Sequence, residues 1–102
     1  MLGLAGCQSS DAGKIIFYYS LTCPHCKNVE KYVVDNNVKA KVDFIEKEIS
    51  ENKKNAADFL DKAAKCNIKP EDAGVPLLWD GSTCIVGDQP IINYFFTKIN
   101  AK

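Results

Sequence analysis

The chain has 102 residues and carries 13 lysines and no arginine against 13 acidic residues. This length allows one domain, and a zero net charge without arginine argues against nucleic acid as a partner. No apolar run approaches the roughly 18 residues that span a bilayer. The content of aromatic and β-branched residues excludes low-complexity disorder. The sequence therefore predicts one small folded domain, with five cysteines.

Residues 1–13 are predicted to form a flexible leader ahead of a domain over residues 14–102. They hold the densest Gly and Ser of the chain and show no sustained periodicity. Within them, Leu4-Ala5-Gly6-Cys7 resembles the cleavage box of bacterial lipoproteins. This resemblance implies lipid on Cys7, a membrane contact through that lipid alone, and an exported, cell-envelope location. The alternative is a disordered N-terminus that happens to contain a cysteine, in a cytoplasmic protein.

Two β-α units are predicted in the first half of the domain. Lys14–Tyr19 is a short β-branched and aromatic run, typical of a buried strand. Pro24 suits the first turn of a helix. Apolar residues follow it at helical spacing, and this helix is predicted to end near Asn36. Lys41–Lys47 alternates in polarity and predicts a second strand. Ser50 is the predicted N-cap of a second amphipathic helix.

A hairpin and a last helix are predicted in the second half. The second helix ends around Cys66-Asn67, and Val75–Trp79 forms a third strand. Asp80-Gly81 is a hairpin turn signal that leads to a fourth strand, Thr83–Val86. Asp88 is predicted to cap a third helix. The inward face of that helix is predicted to hold Ile92, Phe95, Phe96 and Ile99.

The predicted order of elements is therefore β-α-β-α-β-β-α, an α/β fold. A right-handed crossover makes the first two strands parallel, and the tight turn makes the last two antiparallel. Helices must then cover both faces of a mixed four-stranded sheet. No oligomer surface is apparent from the pattern, so we predict a monomer.

Cys23 and Cys26 flank Pro24-His25 at the junction of the first strand and the first helix. A cysteine is a nucleophile only as its thiolate, and a helix N-terminus lowers the pKa of a thiol there. His25 can carry a positive charge that favours the thiolate, and Pro24 keeps the turn rigid. Stabilising the reduced dithiol makes the disulfide a stronger oxidant. We therefore predict a redox-active centre whose catalytic residues are Cys23, Pro24, His25 and Cys26.

Three other uses of this cysteine pair are less favoured. A zinc site needs four ligands, commonly two such pairs, whereas Cys66 and Cys84 lie singly in the sequence. An iron–sulfur cluster needs more closely arranged thiolates. A purely structural disulfide across so short a loop stabilises the fold little, because the stabilisation grows with loop length. No bound metal or cofactor is predicted. A non-catalytic binding or metal-carrying module on the same fold remains the alternative from another functional class.

The chain from Lys14 to Ile99 resembles a glutaredoxin-like member of the thioredoxin superfamily. Three segments carry the resemblance: Tyr19–Cys26, Gly74-Val75-Pro76 and Val86-Gly87-Asp88. It implies a thioredoxin-like, glutaredoxin-type fold and a thiol–disulfide oxidoreductase. The implied substrates are protein disulfides or dithiols, or glutathione mixed disulfides, with glutathione a candidate co-substrate in a cytosolic protein.

The resemblance also implies a substrate-binding set of Val75, Pro76, Gly87 and Asp88. The cis-proline of the family maps onto Pro76, and in the family the backbone there pairs with the substrate chain. The alternative for Pro76 is an ordinary trans proline that starts a strand. Gly87 and Asp88 stand where the family has a Gly-Gly pair and two acidic residues, so Asp88 is either a glutathione contact or a simple helix cap.

Cys66 and Cys84 are a candidate second disulfide. In an exported protein we expect them to be bonded, closing a loop of about 17 residues that adds roughly 3 kcal/mol. In a cytosolic protein we expect two buried thiols instead.

Overall fold

The computed structural model describes residues 13–101. The predicted leader lies outside the described residues apart from Gly13, and so does the candidate lipidation at Cys7. The described residues form four strands, three α-helices and two short 3₁₀ turns. The strands are β1 Ile15–Tyr19, β2 Phe44–Glu48, β3 Leu77–Trp79 and β4 Cys84–Val86; the helices are α1 Pro24–Asp35, α2 Lys53–Lys65 and α3 Asp88–Ile99; the 3₁₀ turns are Val38–Ala40 and Pro70–Asp72.

The four strands form one mixed sheet in the order β2-β1-β3-β4. β1 runs parallel to β2 and antiparallel to β3, and β3 runs antiparallel to β4. The predicted α/β class and mixed sheet are therefore confirmed. The parallel register pairs Tyr19 with Glu48, so β1 and β2 end side by side at the edge of the sheet from which α1 begins.

Helices cover both faces of the sheet because the strands alternate their side chains between the two faces. Phe17 and Leu78 face α1 and α3, whereas Ile16 and Tyr18 face α2. All four of these side chains are fully buried. Between residues 13 and 101, no helix combines the length and the apolar character needed to cross a membrane.

The second strand begins later than predicted, at Phe44 rather than Lys41. The N–H groups of Lys41 and Val42 both donate to the carbonyl of Val38, at 2.9 and 2.8 Å. These donors are used within a 3₁₀ turn and cannot enter a strand ladder. The alternating pattern was misleading here because Val42 is buried without being part of the sheet.

The predicted N-cap of the second helix was also wrong. Asn52 is the cap, and its side chain accepts the N–H of Asn55 at 2.9 Å. The N–H and hydroxyl of Ser50 instead donate to the carboxylate of Glu48. Ser50 therefore belongs to the turn that follows β2.

The third helix differs from its prediction at two positions. Gly87, at φ +97°, occupies the N-cap, and Asp88 is the first helical residue. Ile91 and Phe95 are fully buried, whereas Phe96 is 58% exposed. Placing Phe96 inward was wrong because it follows Phe95 directly, and one helical step turns a side chain by about 100° away from the buried face.

A polar network fastens α2 to the sheet around Asp58. The carboxylate accepts hydrogen bonds from the hydroxyl of Tyr18, from Lys47 at 3.1 Å and from Lys62 at 2.9 Å. Burial raises the pKa of Asp58, but these donors outweigh it and lower the pKa from 3.8 to about 2. Folding therefore favours the ionised carboxylate.

We expect Asp58→Asn to destabilise the protein by about 1–2 kcal/mol near pH 7, after discounting for partial solvent screening. Because the pKa is depressed on folding, the contribution is present above about pH 4 and is lost as the pH falls to about 2. Urea unfolding across this range measures the difference between wild type and variant. Asp61→Asn, at a more exposed position of the same helix, is the control. A difference between wild type and Asp58→Asn that stays constant down to pH 2 would contradict the prediction.

Candidate active site

Cys23 lies at the end of the loop between β1 and α1. It occupies the N-cap with an extended backbone, φ −101° and ψ 108°, and its Sγ accepts the N–H of Cys26 at 3.1 Å. Pro24 is the first helical residue, where a missing N–H costs no helical hydrogen bond. The sulfur thus lies at the positive end of α1, as the sequence predicts.

Cys23 and Cys26 form a disulfide, with their Cα atoms 5.2 Å apart. The two cysteines differ in their exposure to solvent. Cys26 is fully buried in the core between the sheet and α1, whereas Cys23 is only partly buried. Cys26 is therefore inaccessible to an incoming reactant, and Cys23 is the cysteine of this pair that solvent reaches.

The segment before β3 lies against the sulfur of Cys23. The carbonyl oxygen of Val75 is 3.7 Å from the Sγ of Cys23, and the Val75–Pro76 peptide bond is cis. The alternative of a trans proline at the start of a strand is therefore wrong, and β3 begins at Leu77. The carbonyl of Pro76 accepts the N–H of Gly87 at 3.0 Å, which places Gly87 next to the cis-proline.

His25 contacts Asp88 across the two helix N-termini. Its Nδ1 lies 3.0 Å from an Oδ2 atom of Asp88 that also accepts the side-chain amide of Asn28 at 2.7 Å. The His25 side chain is 73% exposed and that of Asp88 is 18% exposed. Sequence reasoning missed Asn28, although it follows His25 by three residues and must share its helix face.

Glu48 is a second residue that sequence reasoning missed. Its carboxylate accepts the N–H groups of Leu21, at 3.1 Å, and of Glu51, at 2.7 Å. Burial raises the pKa of Glu48, but the hydrogen bonds from Ser50, Glu51 and Leu21 lower it to about 2. Glu48 thereby ties the loop that leads to Cys23 to the end of β2. The sequence held a signal for this contact. Parallel strands end at the same edge of a sheet, so the loop after β1 is expected to meet the last residues of β2.

Cys66 and Cys84 form a second disulfide, with a Cα–Cα distance of 6.1 Å. Cys66 is the C-cap of α2 and Cys84 begins β4. Both pack against the core on the α2 face of the sheet, whereas Cys23 and Cys26 belong to the core on the opposite face. The structure therefore does not bring this disulfide into the candidate site.

A groove of about 440 Å³ lies along α1 and β2, and neither Cys23 nor Cys26 lines it. Its lining includes Tyr19, Glu30, Val33 and Glu46 but none of the predicted site residues. Within residues 13–101, no group of three or more His, Cys, Asp or Glu side chains is arranged to hold a metal ion. The candidate site is thus the cluster of residues around Cys23.

The chain was also compared with known proteins. A scan against protein-family models finds no match, and a search of curated proteins finds none either.

Proposed function

We propose that this protein is a thiol–disulfide oxidoreductase with a glutaredoxin-like, thioredoxin-type fold. The sheet order β2-β1-β3-β4, with two helices on one face and one on the other, is compatible with that fold. The observation that carries the proposal is the asymmetric Cys23–Cys26 disulfide at the N-terminus of α1. Cys23 is partly exposed and lies where a thiolate is stabilised, and Cys26 is buried beside it.

In the proposed reaction the Cys23 thiolate attacks one sulfur of a substrate disulfide. A Cys23–substrate bond forms, and the other substrate sulfur leaves as a thiolate. The Cys26 thiolate then attacks the Sγ of Cys23, which releases the second substrate thiolate and closes the Cys23–Cys26 disulfide. Two electrons pass from the protein dithiol to the substrate, which takes up two protons from solvent. Run in reverse, the same steps oxidise a substrate dithiol.

The substrate we propose is an extended polypeptide that contains a disulfide or a dithiol. The backbone of Val75 and Pro76 beside Cys23 is the surface on which such a chain would lie. The carboxylate of Asp88 already accepts hydrogen bonds from His25, Asn28 and Gln89. Because its carboxylate is already hydrogen-bonded within the protein, Asp88 is less suited to bind glutathione. This favours protein substrates over glutathione.

The test is a redox titration in glutathione buffers, in which thiols are trapped by alkylation and counted per cysteine by mass spectrometry. We expect Cys23 and Cys26 to titrate together between about −270 and −120 mV. A midpoint near −270 mV indicates a reductant, and one above about −180 mV indicates an oxidant or isomerase. Cys66 and Cys84 are the internal control and should stay oxidised, as structural disulfides do. If the two pairs titrate together, the proposal fails.

A further inference from the structure

Asp88 is the first residue of α3, and its carboxylate contacts side chains of α1. One of its carboxylate oxygens, Oδ2, accepts hydrogen bonds from Asn28, at 2.7 Å, and from the Nδ1 of His25, at 3.0 Å. The other oxygen accepts the backbone N–H of Gln89 at 2.8 Å. With its side chain 18% exposed, the carboxylate is held in one position by donors from both α1 and α3.

This carboxylate is ionised at neutral pH. The hydrogen bonds from Asn28 and then from His25 lower the pKa of Asp88 to about 2. A carboxylate can only accept, so the Nδ1 of His25 carries the hydrogen of this bond. Asp88 therefore fixes the ring of His25 and places a negative charge beside it.

That charge matters because reduction creates another one at Cys23, two residues before His25. A two-electron donor, such as a dithiol or two glutathione molecules, breaks the Cys23–Cys26 bond. Two electrons and one proton then convert the disulfide into a Cys23 thiolate and a Cys26 thiol. The thiolate appears at the N-cap of α1, the helix that also carries His25 and Asn28. A like charge disfavours an ionised group, while the helix dipole and a charged His25 favour it.

We propose that Asp88 is a positioning residue that lowers the midpoint potential of the redox centre. It holds His25 in place and offsets the positive field that the Pro24-His25 dipeptide and the N-terminus of α1 create around Cys23. The inference rests on the proposed redox function. It implies a centre that is less oxidising than its Cys-Pro-His-Cys sequence indicates.

The test compares three variants in the glutathione titration described above. Asp88→Asn keeps the shape of the side chain and removes its charge, and Asp88→Glu keeps the charge. Asp35→Asn removes an equal charge at the other end of α1, roughly 18 Å away, beyond the screening length at physiological salt. The ultraviolet absorbance of the Cys23 thiolate, recorded against pH, gives a second readout.

We expect Asp88→Asn to shift the equilibrium with glutathione about fivefold toward the reduced protein, which raises the midpoint by about 20 mV. The thiolate should also persist to lower pH in this variant. Asp88→Glu and Asp35→Asn should stay near wild type. A purely structural role for Asp88 predicts a lower melting temperature with an unchanged midpoint. That result would overturn this inference but not the proposed function. A wild-type Cys23–Cys26 pair that does not exchange with glutathione overturns the proposed function, and the inference with it.

Discussion

Replacing Cys23 by serine is expected to abolish turnover, whereas replacing Cys26 by serine is expected to trap a covalent complex with the substrate. Cys23 is partly exposed, whereas Cys26 is fully buried. Without Cys23 no mixed disulfide can form. Without Cys26 the mixed disulfide forms but has no internal thiol to resolve it. Reduction of a model protein disulfide measures turnover, and non-reducing electrophoresis with mass spectrometry identifies the trapped complex.

The control for this pair of variants is the double replacement of Cys66 and Cys84 by alanine. These cysteines pack on the opposite face of the sheet from Cys23, so their removal should leave the rate per folded molecule unchanged. Equal residual activity in the Cys23→Ser and Cys26→Ser proteins would contradict the assignment of Cys23 as the nucleophile. A complex trapped by Cys23→Ser through Cys26 would contradict it as well.

Removing the Cys66–Cys84 disulfide is expected to lower the free energy of unfolding by about 3 kcal/mol. The bond joins residues 18 positions apart, and closing a loop of that length restricts the unfolded chain by about this amount. It also holds the end of α2 to β4, which pairs only with β3 among the described strands. Urea unfolding of the Cys66→Ala/Cys84→Ala protein, without reductant, measures the loss.

The matched control is the Cys23→Ala/Cys26→Ala protein, which lacks the other disulfide. That bond spans a separation of 3 residues, so its entropic contribution is smaller. We expect its removal to cost clearly less than removal of the Cys66–Cys84 bond. Equal losses in the two double variants would show that loop closure does not govern the stability of this domain.

The order of the elements and the sheet could be predicted because they depend on local patterns. Phe17 and its neighbours in β1 form a short apolar run that can be buried on both faces. Pro24 marks the start of α1 with a local steric rule. Asp80 and Gly81 mark the turn between β3 and β4, and Asp80 accepts the N–H groups of Ser82 and Thr83 there.

The element boundaries that were predicted wrongly depend on competition between hydrogen-bond partners. Ser50 is a good N-cap by residue type, yet its N–H and its hydroxyl donate to the carboxylate of Glu48. Val42 fits a strand by its alternation, yet its N–H donates to Val38. Which partner is used depends on how the chain turns after α1 and β2, and periodicity holds no information on that.

The candidate site divides in the same way between local and distant contacts. The placement of Cys23 and Cys26 on one helical turn follows from their spacing. The contact between His25 and Asp88 joins residues 63 positions apart, so it exists only because α1 and α3 lie on the same face of the sheet. Residue types alone leave Asp88 as a helix cap or a ligand contact, and they give no sign of its interaction with His25.

The two disulfides lie in different layers of the molecule. Cys26 is part of the α1–α3 layer, and the Cys66–Cys84 bond is part of the α2 layer, with the sheet between them. A bond that opens and closes in every catalytic cycle removes a cross-link each time it opens. In the proposed reaction the Cys23–Cys26 bond is the one that opens and closes, and the cross-link that closes the longer loop does not take part. The proposed reaction would therefore leave the main constraint on the unfolded chain in place through every change of oxidation state.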